Sequence, residues 1–425
     1  MIFPGGTEVG MEIYKSLVNC KFINLFSVSS RVVNHAPYIY KDHFYIDDIY
    51  SEHWLNQLNE ILIDNKIDYI FPANSYVIDK LSKHRSEIKA ALILNSNEVL
   101  RIVRSKSKTY NELTDIVPVP KIYKSISEIK ILPVFVKPDN AYGAQGAEKI
   151  DNGDYLSSFF VKKDNYLVME YLPGDEYTVD CCSDADGKLI FCEGRTRQRV
   201  RMGTSMHSEP AGSELNQYFH SIAGQISERI KITGAWFFQM KKDAEGALKL
   251  LEVETRIAGT MAFHRTKGIN LPLLHFYIMI GHNVDLLPNR FAHIIDRALT
   301  NRYSCDLSYD SVYVDLDDTI IVHDKINTEL IKFLYQCINE NKELILLSKS
   351  LQNDKMKYLA DRRIADLFDS IIWLDENQSK ADFVDKSKNP IFIDDSFSQR
   401  KEVSQKLGIP TFDPSMIEIL LDDRK

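Results

Sequence analysis

The order of apolar and polar residues along the first part of the chain predicts alternating strands and helices. An apolar start is followed by a glycine turn, Gly5 to Gly10, and then by apolar residues at helical spacing. Strands are expected at 1–3, 22–29 and 67–74, and helices at 11–18 and 54–65. This alternation predicts a parallel α/β sheet with ligands at the carboxyl ends of its strands. The glycine turn alone is more often structural than nucleotide-binding.

The middle of the chain is richer in strand patterns. A helix is expected to open at Ser105 and stop near Val117, with strands at 133–138, 166–172, 234–240 and 248–253. The last two strands flank the polar turn 243–246 and predict a hairpin that brings Gln239 near Glu252.

The last part repeats the strand and helix alternation. Strands are expected at 311–314, 343–348 and 390–393, and a helical stretch at 380–384. The length of 425 residues and these shifts in pattern predict an α/β protein of three domains, at 1–103, 104–300 and 301–425.

Composition narrows the class of protein. The chain is 44% hydrophobic and 26% charged, with a formal net charge of −8, which disfavours nucleic acid or an anionic membrane as partner. The longest apolar stretch, 271–280, is too short to span a bilayer, and we expect no signal peptide. Six cysteines without a CxxC motif favour reduced thiols and a cytoplasmic location.

Glu252, Glu254 and Arg256 occupy every second position at the end of one predicted strand, so they share one face. Two clustered carboxylates favour a cation such as Mg²⁺ between them, and the arginine would bind an anion. The alternative is a salt-bridged outer face of a sheet.

Two further groups favour anion binding. Lys137 ends a strand and precedes the small-residue loop 141–146, whose backbone N–H groups could close around phosphate, although a β-hairpin turn with a surface lysine fits the same pattern. Arginines at 195, 197, 199 and 201 predict a one-sided cationic strand face, or else a solvated edge strand.

The final third carries a second acidic pattern. Asp315 and Asp317 follow one strand, Ser348 ends the next, Lys380 opens a helical stretch, and Asp394-Asp395 close another strand. A lone pair of such carboxylates is usually a polar strand end, whereas the four elements in this order are a much more specific signal.

The first two thirds of the chain contain an ordered set of motifs: Lys106, Lys137-Pro138 with the loop Gly143–Gly146, Glu170-x-Leu172, Gly174-x-Glu176, Gln239, and Glu252-x-Glu254-x-Arg256. In this order they resemble the motifs of the ATP-grasp superfamily, closest to its carbamoyl-phosphate-synthase and carboxylate–amine ligase branch. The resemblance covers about 1–289 and implies a pre-ATP-grasp α/β domain followed by an α+β ATP-grasp domain. It implies that ATP is bound by Lys106, Lys137, Gly143, Gly146, Glu170, Leu172 and Glu176. It implies Mg²⁺, with Mn²⁺ as a substitute, held by Gln239, Glu252 and Glu254, and an acyl phosphate steadied by Arg256. Glu254 departs from the asparagine usual in the family.

The resemblance implies an ADP-forming ligase that joins a small-molecule carboxylate to an amine through an acyl phosphate. Arg195, Arg197 and Arg201 are the candidates for binding the acid. Related ligases are often dimers, which suggests a homodimer. Two alternatives remain: a carboxylating or phosphorylating enzyme without amide formation, and a nucleotide-binding module that regulates a phosphatase.

The last 120 or so residues resemble the haloacid dehalogenase superfamily, which implies a small Rossmann-like phosphatase domain without a large cap. By this resemblance Asp315 is the nucleophile, Asp317 the general acid/base, and Ser348 and Lys380 bind the phosphoryl oxygens. Asp315, Asp317 and Asp394 would hold Mg²⁺, supported by Asp395. Fusion of the two activities suggests one pathway, with a phosphorylated amine or amino alcohol as the phosphoester substrate.

Overall fold

The computed structural model describes residues 1–140, 145–161, 165–201, 203–289, 291, 293–303, 305–349, 354–422 and 424. Its contacts divide the chain into two compact units: Met1–Pro37 with Asp42–Leu299, and Tyr38–Lys41 with Thr300–Lys425. The boundary expected after residue 300 lies beside the observed one, whereas the boundary expected after residue 103 falls inside the first unit.

The front of the first unit is a parallel sheet with the strand order β3-β2-β1-β4-β5. Its strands are β1 (Ile2–Phe3), β2 (Phe26–Ser30), β3 (Asp42–Ile46), β4 (Tyr69–Pro72) and β5 (Ala91–Leu92). Its helices are α1 (Glu8–Leu17), α2 (Trp54–Asp64), α3 (Ser75–Lys83) and α4 (Asn97–Val103). The expected parallel α/β arrangement is therefore confirmed.

Helix α1 begins three residues earlier than the apolar spacing suggested, because Thr7 caps it and accepts a hydrogen bond from the backbone N–H of Gly10. A Cβ atom on Gly10 would lie 2.5 Å from the carbonyl oxygen of Pro4. The glycine at this turn is thus required for close packing of the backbone.

The rest of the first unit is mostly antiparallel sheet. Its helices are α5 (Lys106–Leu113), α6 (Gly153–Val161), α7 (Ser213–Ile230), α8 (Ala262–Arg265) and α9 (Leu271–Met279). Its strands are β6 (Ile122–Tyr123), β7 (Val134–Pro138), β8 (Glu148–Ile150), β9 (Tyr166–Glu170), β10 (Glu176–Ser183), β11 (Leu189–Thr196), β12 (Gln198–Arg201), β13 (Thr204–Ser208), β14 (Gly234–Lys242), β15 (Leu248–Glu254) and β16 (Ile295–Asp296). The sheet orders are β6-β9-β7-β8, β11-β10-β14-β15 and β12-β13-β16.

The predicted hairpin is confirmed, since β14 and β15 pair antiparallel with Gln239 opposite Glu252. The inner face of this sheet packs on α7 through Trp236, Phe238 and Phe219, all fully buried. This apolar layer fixes the strand from which the candidate metal ligands project.

The second unit contains a parallel sheet with the order β21-β20-β17-β22-β23. Its strands are β17 (Ser311–Val314), β18 (Ile321–Val322), β19 (Lys325–Ile326), β20 (Glu343–Ser348), β21 (Ser370–Trp373), β22 (Pro390–Ile393) and β23 (Thr411–Phe412). Its helices are α10 (Thr328–Asn339), α11 (Lys355–Asp361) and α12 (Phe397–Leu407), and short 3₁₀ turns include Lys380–Phe383. The stretch expected to be helical at 380–384 is this 3₁₀ turn.

Within the described residues, no helix has both the length and the apolar character needed to cross a membrane.

Candidate functional site

The end of β15 places two carboxylates next to an amide. With its amide oriented to match its neighbours, Gln239 donates to Glu252 across 3.2 Å and accepts from Arg197 across 3.1 Å. Glu254 is two residues further along the strand, and burial together with the charge of Glu252 raises its pKa. A bound cation would offset the repulsion between the two carboxylates and favour their ionised forms. These residues therefore fit a divalent metal.

Ser75, the first residue of α3, was missed by the sequence analysis and links Glu254 to Arg256. Its hydroxyl donates to Glu254 at 3.2 Å and accepts from Nε of Arg256 at 2.8 Å. The guanidinium also stacks on Phe237, with 5.2 Å to the ring centroid. The predicted shared face is thus completed by a residue of helix α3, which follows strand β4 of the front sheet.

Lys137 lies at the end of β7 and is 7% exposed. Its Nζ donates to the hydroxyl of Tyr110 at 2.9 Å and to the carbonyl of Leu251 at 3.2 Å. Burial, reinforced by the nearby charge of Lys106, lowers its pKa to about 7. An anion such as a triphosphate would restore the ammonium form.

Asp139 holds the start of α5 against the end of β7, which positions Lys106 near Lys137. Its carboxylate accepts from the Ser105 hydroxyl at 2.6 Å and from the backbone N–H of Ser107 at 2.7 Å. Its carbonyl accepts from the backbone N–H of Lys106 at 3.2 Å. Sequence reasoning missed this aspartate, although it lies next to Pro138 in the motif.

The small-residue loop is described only at its end. Gly143 lies outside the described residues, whereas Gly146 has a φ of +68° and a Cβ there would lie 3.0 Å from Pro138. Gln145 accepts a hydrogen bond of 2.6 Å from the hydroxyl of Tyr76, the second residue of α3.

The residues expected around adenine and ribose already have protein partners. Glu170 accepts from the backbone N–H of Lys121 at 2.8 Å, and Leu172 is buried. Glu176 contacts Arg197 at 2.5 Å and Lys241 at 3.3 Å. If Glu176 binds ribose, its carboxylate must accept from the ribose hydroxyls while it also contacts Arg197 and Lys241.

The expected one-sided arginine face is not formed, because β11 ends at Thr196 and β12 starts at Gln198. Arg195 is 1% exposed and contacts Asp180 at 2.7 Å inside the fold, so it is not placed to bind a substrate acid. Arg197 joins Glu176 to Gln239, and Arg201 lies exposed in β12.

Asp180 belongs to a buried charge cluster. It also contacts His264 Nε2 at 3.0 Å, and His264 Nδ1 lies 3.2 Å from Glu193. Although burial opposes it, Arg195 and His264 lower the pKa of Asp180 to about 2. This cluster ties β10 and β11 to α8, just after the candidate metal strand.

The second unit gathers acidic residues at the carboxyl ends of β17 and β22. Oxygen atoms of Asp315, Asp394 and Asp395 all lie within 4.8 Å of one another. Nζ of Lys380 lies 2.8 Å from Asp315 and 2.6 Å from Asp394. Burial and the charge of Asp394 raise the pKa of Asp315 to about 6 despite the lysine, so the donor set fits Mg²⁺.

Neighbouring residues complete this edge of the sheet. Ser348 is buried at the end of β20, which pairs with β17, and Asp317 is partly exposed two residues after Asp315. The hydroxyl of Thr319 accepts from the backbone N–H of Asp395 at 2.9 Å. Arg400, missed in the sequence, donates to the carbonyls of Asp394 at 2.5 Å and Asp395 at 2.6 Å.

Residues 162–299 match the family model described as "ATP-grasp in the biosynthetic pathway with Ter operon". The chain is 25% identical over 306 residues to the carbamoyl phosphate synthase large chain of Clostridium botulinum (strain Alaska E43 / Type E3). That alignment covers 65% of this chain and only 28% of the relative.

Solved structures agree on the fold. The biotin carboxylase domain of Hydrogenobacter thermophilus 2-oxoglutarate carboxylase, in complex with MgADP and bicarbonate, superposes with a TM-score of 0.55 at 15% identity, covering 65% of this chain and 68% of that one. The N5-carboxyaminoimidazole synthetase of Staphylococcus aureus, complexed with ADP, gives 0.52 at 18% identity, covering 68% and 78%. The first two thirds of the chain therefore share the fold of these two structures, and residues 162–299 within them carry the match to an ATP-grasp family model.

Proposed function

We propose that the first unit is an ATP- and Mg²⁺-dependent carboxylate–amine ligase that releases ADP. The observation that carries the proposal is the convergence of Gln239, Glu252, Glu254 and Arg256 at one strand end, held by Ser75. The fit to an ATP-grasp fold and the buried Lys137 near Lys106 support it. Complexes of two structural neighbours with ADP are consistent with ATP as substrate.

In the proposed reaction, a carboxylate oxygen attacks the γ-phosphorus of ATP and the bond to the β–γ bridging oxygen breaks, which gives an acyl phosphate and ADP. The amine then attacks the acyl carbon, loses a proton, and expels phosphate to leave an amide. A metal bound at Glu252, Glu254 and Gln239 would neutralise phosphate charge.

The side chains of this unit would position and neutralise charge rather than form a covalent bond. Lys106 and Lys137 would bind the transferred phosphoryl group, which requires Lys137 to carry its proton. Arg256 would bind the acyl phosphate, and its contact with Ser75 limits its rotation.

The test is ADP release from ATP and Mg²⁺ with pools of acids and amines, in protein carrying Asp315→Asn. We expect ADP only with a particular acid and amine, and a loss on the order of 10²-fold or more in Glu252→Gln. Glu245→Gln, in the exposed turn between β14 and β15, is the matched control. ADP with bicarbonate and no amine would instead show a carboxylating enzyme. ATP binding without turnover would show a regulatory module.

We further propose that the second unit is a Mg²⁺-dependent phosphatase. The cluster of Asp315, Asp394 and Asp395 around Lys380 carries this proposal. Asp315 would attack the phosphorus while Asp317 protonates the leaving alcohol; water activated by Asp317 would then hydrolyse the aspartyl phosphate. A metal bound at the three clustered aspartates would neutralise the phosphoryl oxygens.

Phosphate release from an amino-alcohol phosphate without ATP tests the second activity. We expect Asp315→Asn to abolish it and the exposed Asp366→Asn to leave it unchanged. Activity on nucleotides alone, with every phosphoamine inert, would contradict a phosphorylated amine or amino alcohol as substrate.

A further inference from the structure

A cleft of about 440 Å³ opens beside the candidate metal ligands of the first unit. It lies among α3, α4, the start of α5 and the end of β15. Its volume is within the roughly 300–1,000 Å³ of small-molecule sites. Its lining includes Ser75, Asp79, Arg101, Arg104, Lys108 and Glu254.

The outer part of the cleft has an excess of positive charge. Asp79 is already shared by Lys83, at 3.0 Å, and by Arg104. Arg101 and Lys108 are exposed, and neither forms an ion pair with any residue that the structure describes. These two cations are therefore available to an anion entering from solvent.

Arg104 supplies a second, independent sign of a ligand. Its Nε is buried and has no hydrogen-bond acceptor among the described residues, while another nitrogen of the same guanidinium is paired with Asp79. Buried N–H groups nearly always have an acceptor, and leaving one unsatisfied is costly. An oxygen atom of a molecule in the cleft would satisfy it once the Arg104 side chain turned this N–H toward the cleft.

We propose that this cleft binds the acid substrate of the ligase, and that this acid carries a second anionic group, either a carboxylate or a phosphate. The reacting carboxylate would lie at the Ser75 and Glu254 end, and the second anion would contact Arg101, Arg104 and Lys108. The proposal rests on the proposed ligase function, because it assigns the substrate class of that site.

Direct binding provides the first test. The probes are acetate, succinate and phosphoglycolate at constant ionic strength, added to the full chain carrying Asp315→Asn, with thermal unfolding as readout. Succinate tests a second carboxylate and phosphoglycolate tests a phosphate. We expect one of them, but not acetate, to raise the unfolding temperature.

The comparison uses Arg101→Gln with Lys108→Gln. The matched control is Lys15→Gln with Lys89→Gln, two exposed lysines outside the cleft that change the net charge equally. The stabilisation should disappear in the cleft variant and persist in the control. Three outcomes would overturn the proposal. The dianions could stabilise the parent, the cleft variant and the control equally; acetate could stabilise as much as the dianions; or the control could lose the stabilisation as fully as the cleft variant. Arg101→Gln alone replaces the pair if the double variant does not fold.

Kinetics separates this proposal from the ligase itself. With an acid that supports ADP release, the cleft variant should raise the KM for the acid about tenfold or more, with kcat and the KM for ATP unchanged. An unchanged KM for the acid would refute the cleft assignment while the ligase stands. Dianion binding that is lost in the cleft variant, without ADP from any acid, would support the cleft and count against the ligase.

Discussion

Replacing Arg195 with methionine is expected to destabilise the first unit rather than to weaken the binding of a substrate. The guanidinium donates two hydrogen bonds to Asp180, at 2.7 and 3.3 Å, and a third to Ser208 at 3.4 Å. Asp180 is fully buried, and its carboxylate pairs with both Arg195 and His264. Removal of the guanidinium therefore leaves His264 to compensate the buried negative charge.

Breaking a buried ion pair by removing one partner costs about 3–5 kcal/mol, and we expect the lower end because His264 remains. Unfolding entropy is about 2.1 cal/mol/K per residue, which gives about 0.6 kcal/mol/K for the roughly 300 residues of the first unit. A loss of about 3 kcal/mol then lowers the unfolding temperature of this unit by about 5 °C.

The assay is calorimetry of the full chain, in which the transition of the first unit is followed with and without ATP. Arg199→Met is the control, because Arg199 pairs with Asp296 at 2.8 Å on the surface and such pairs contribute about 0–1 kcal/mol. An Arg195→Met protein whose unfolding temperature is within about 1 °C of the parent, with a raised KM for the acid, would refute this reasoning.

Other substitutions address the contact between α3 and Gln145, the second unit, and stability at acidic pH. Tyr76→Phe removes the hydrogen bond to Gln145 and should raise the KM for ATP about two- to threefold in steady-state kinetics. Lys380→Met removes the cation between two buried aspartates and should abolish phosphate release from phosphoesters while ADP formation continues. Burial lowers the pKa of His275 to about 4, so its contribution to stability is complete above about pH 6.5 and falls by about 3 kcal/mol as the pH drops to 4. Unfolding of His275→Gln across pH 4 to 7 should lack this loss.

Local patterns were sufficient for the elements that carry the site. The strands Glu343–Ser348 and Pro390–Ile393 have the bounds expected from their apolar runs. The hairpin that pairs Gln239 with Glu252 follows from an apolar run on each side of a polar turn. In each case the information lies in one continuous stretch of the chain, and the longest of these stretches is the hairpin Gly234–Glu254.

Long-range pairing was not predictable in the same way. The arginine alternation continued past the end of β11, so the sequence could not show that Arg195 points to Asp180 while Arg197 lies between strands. The partners of Arg256 and Lys137 were missed because Ser75 and Tyr110 come from helices far away in sequence. Secondary-structure propensities describe local preferences along the chain, so they do not predict contacts between distant residues.

The hydrogen bond between Ser75 and Arg256 joins residues that are 181 positions apart. It therefore limits which segments of this protein can be exchanged with those of a relative. A fragment beginning at α5 would retain Glu252, Glu254 and Arg256 but lose the hydroxyl that orients the last two. Exchange of the first hundred residues with those of a relative would keep the side chains of Glu254 and Arg256 in this orientation only if the incoming helix brought an equivalent donor and acceptor. The front sheet with its helix α3 and strand β15 should therefore be transferred together in any chimera.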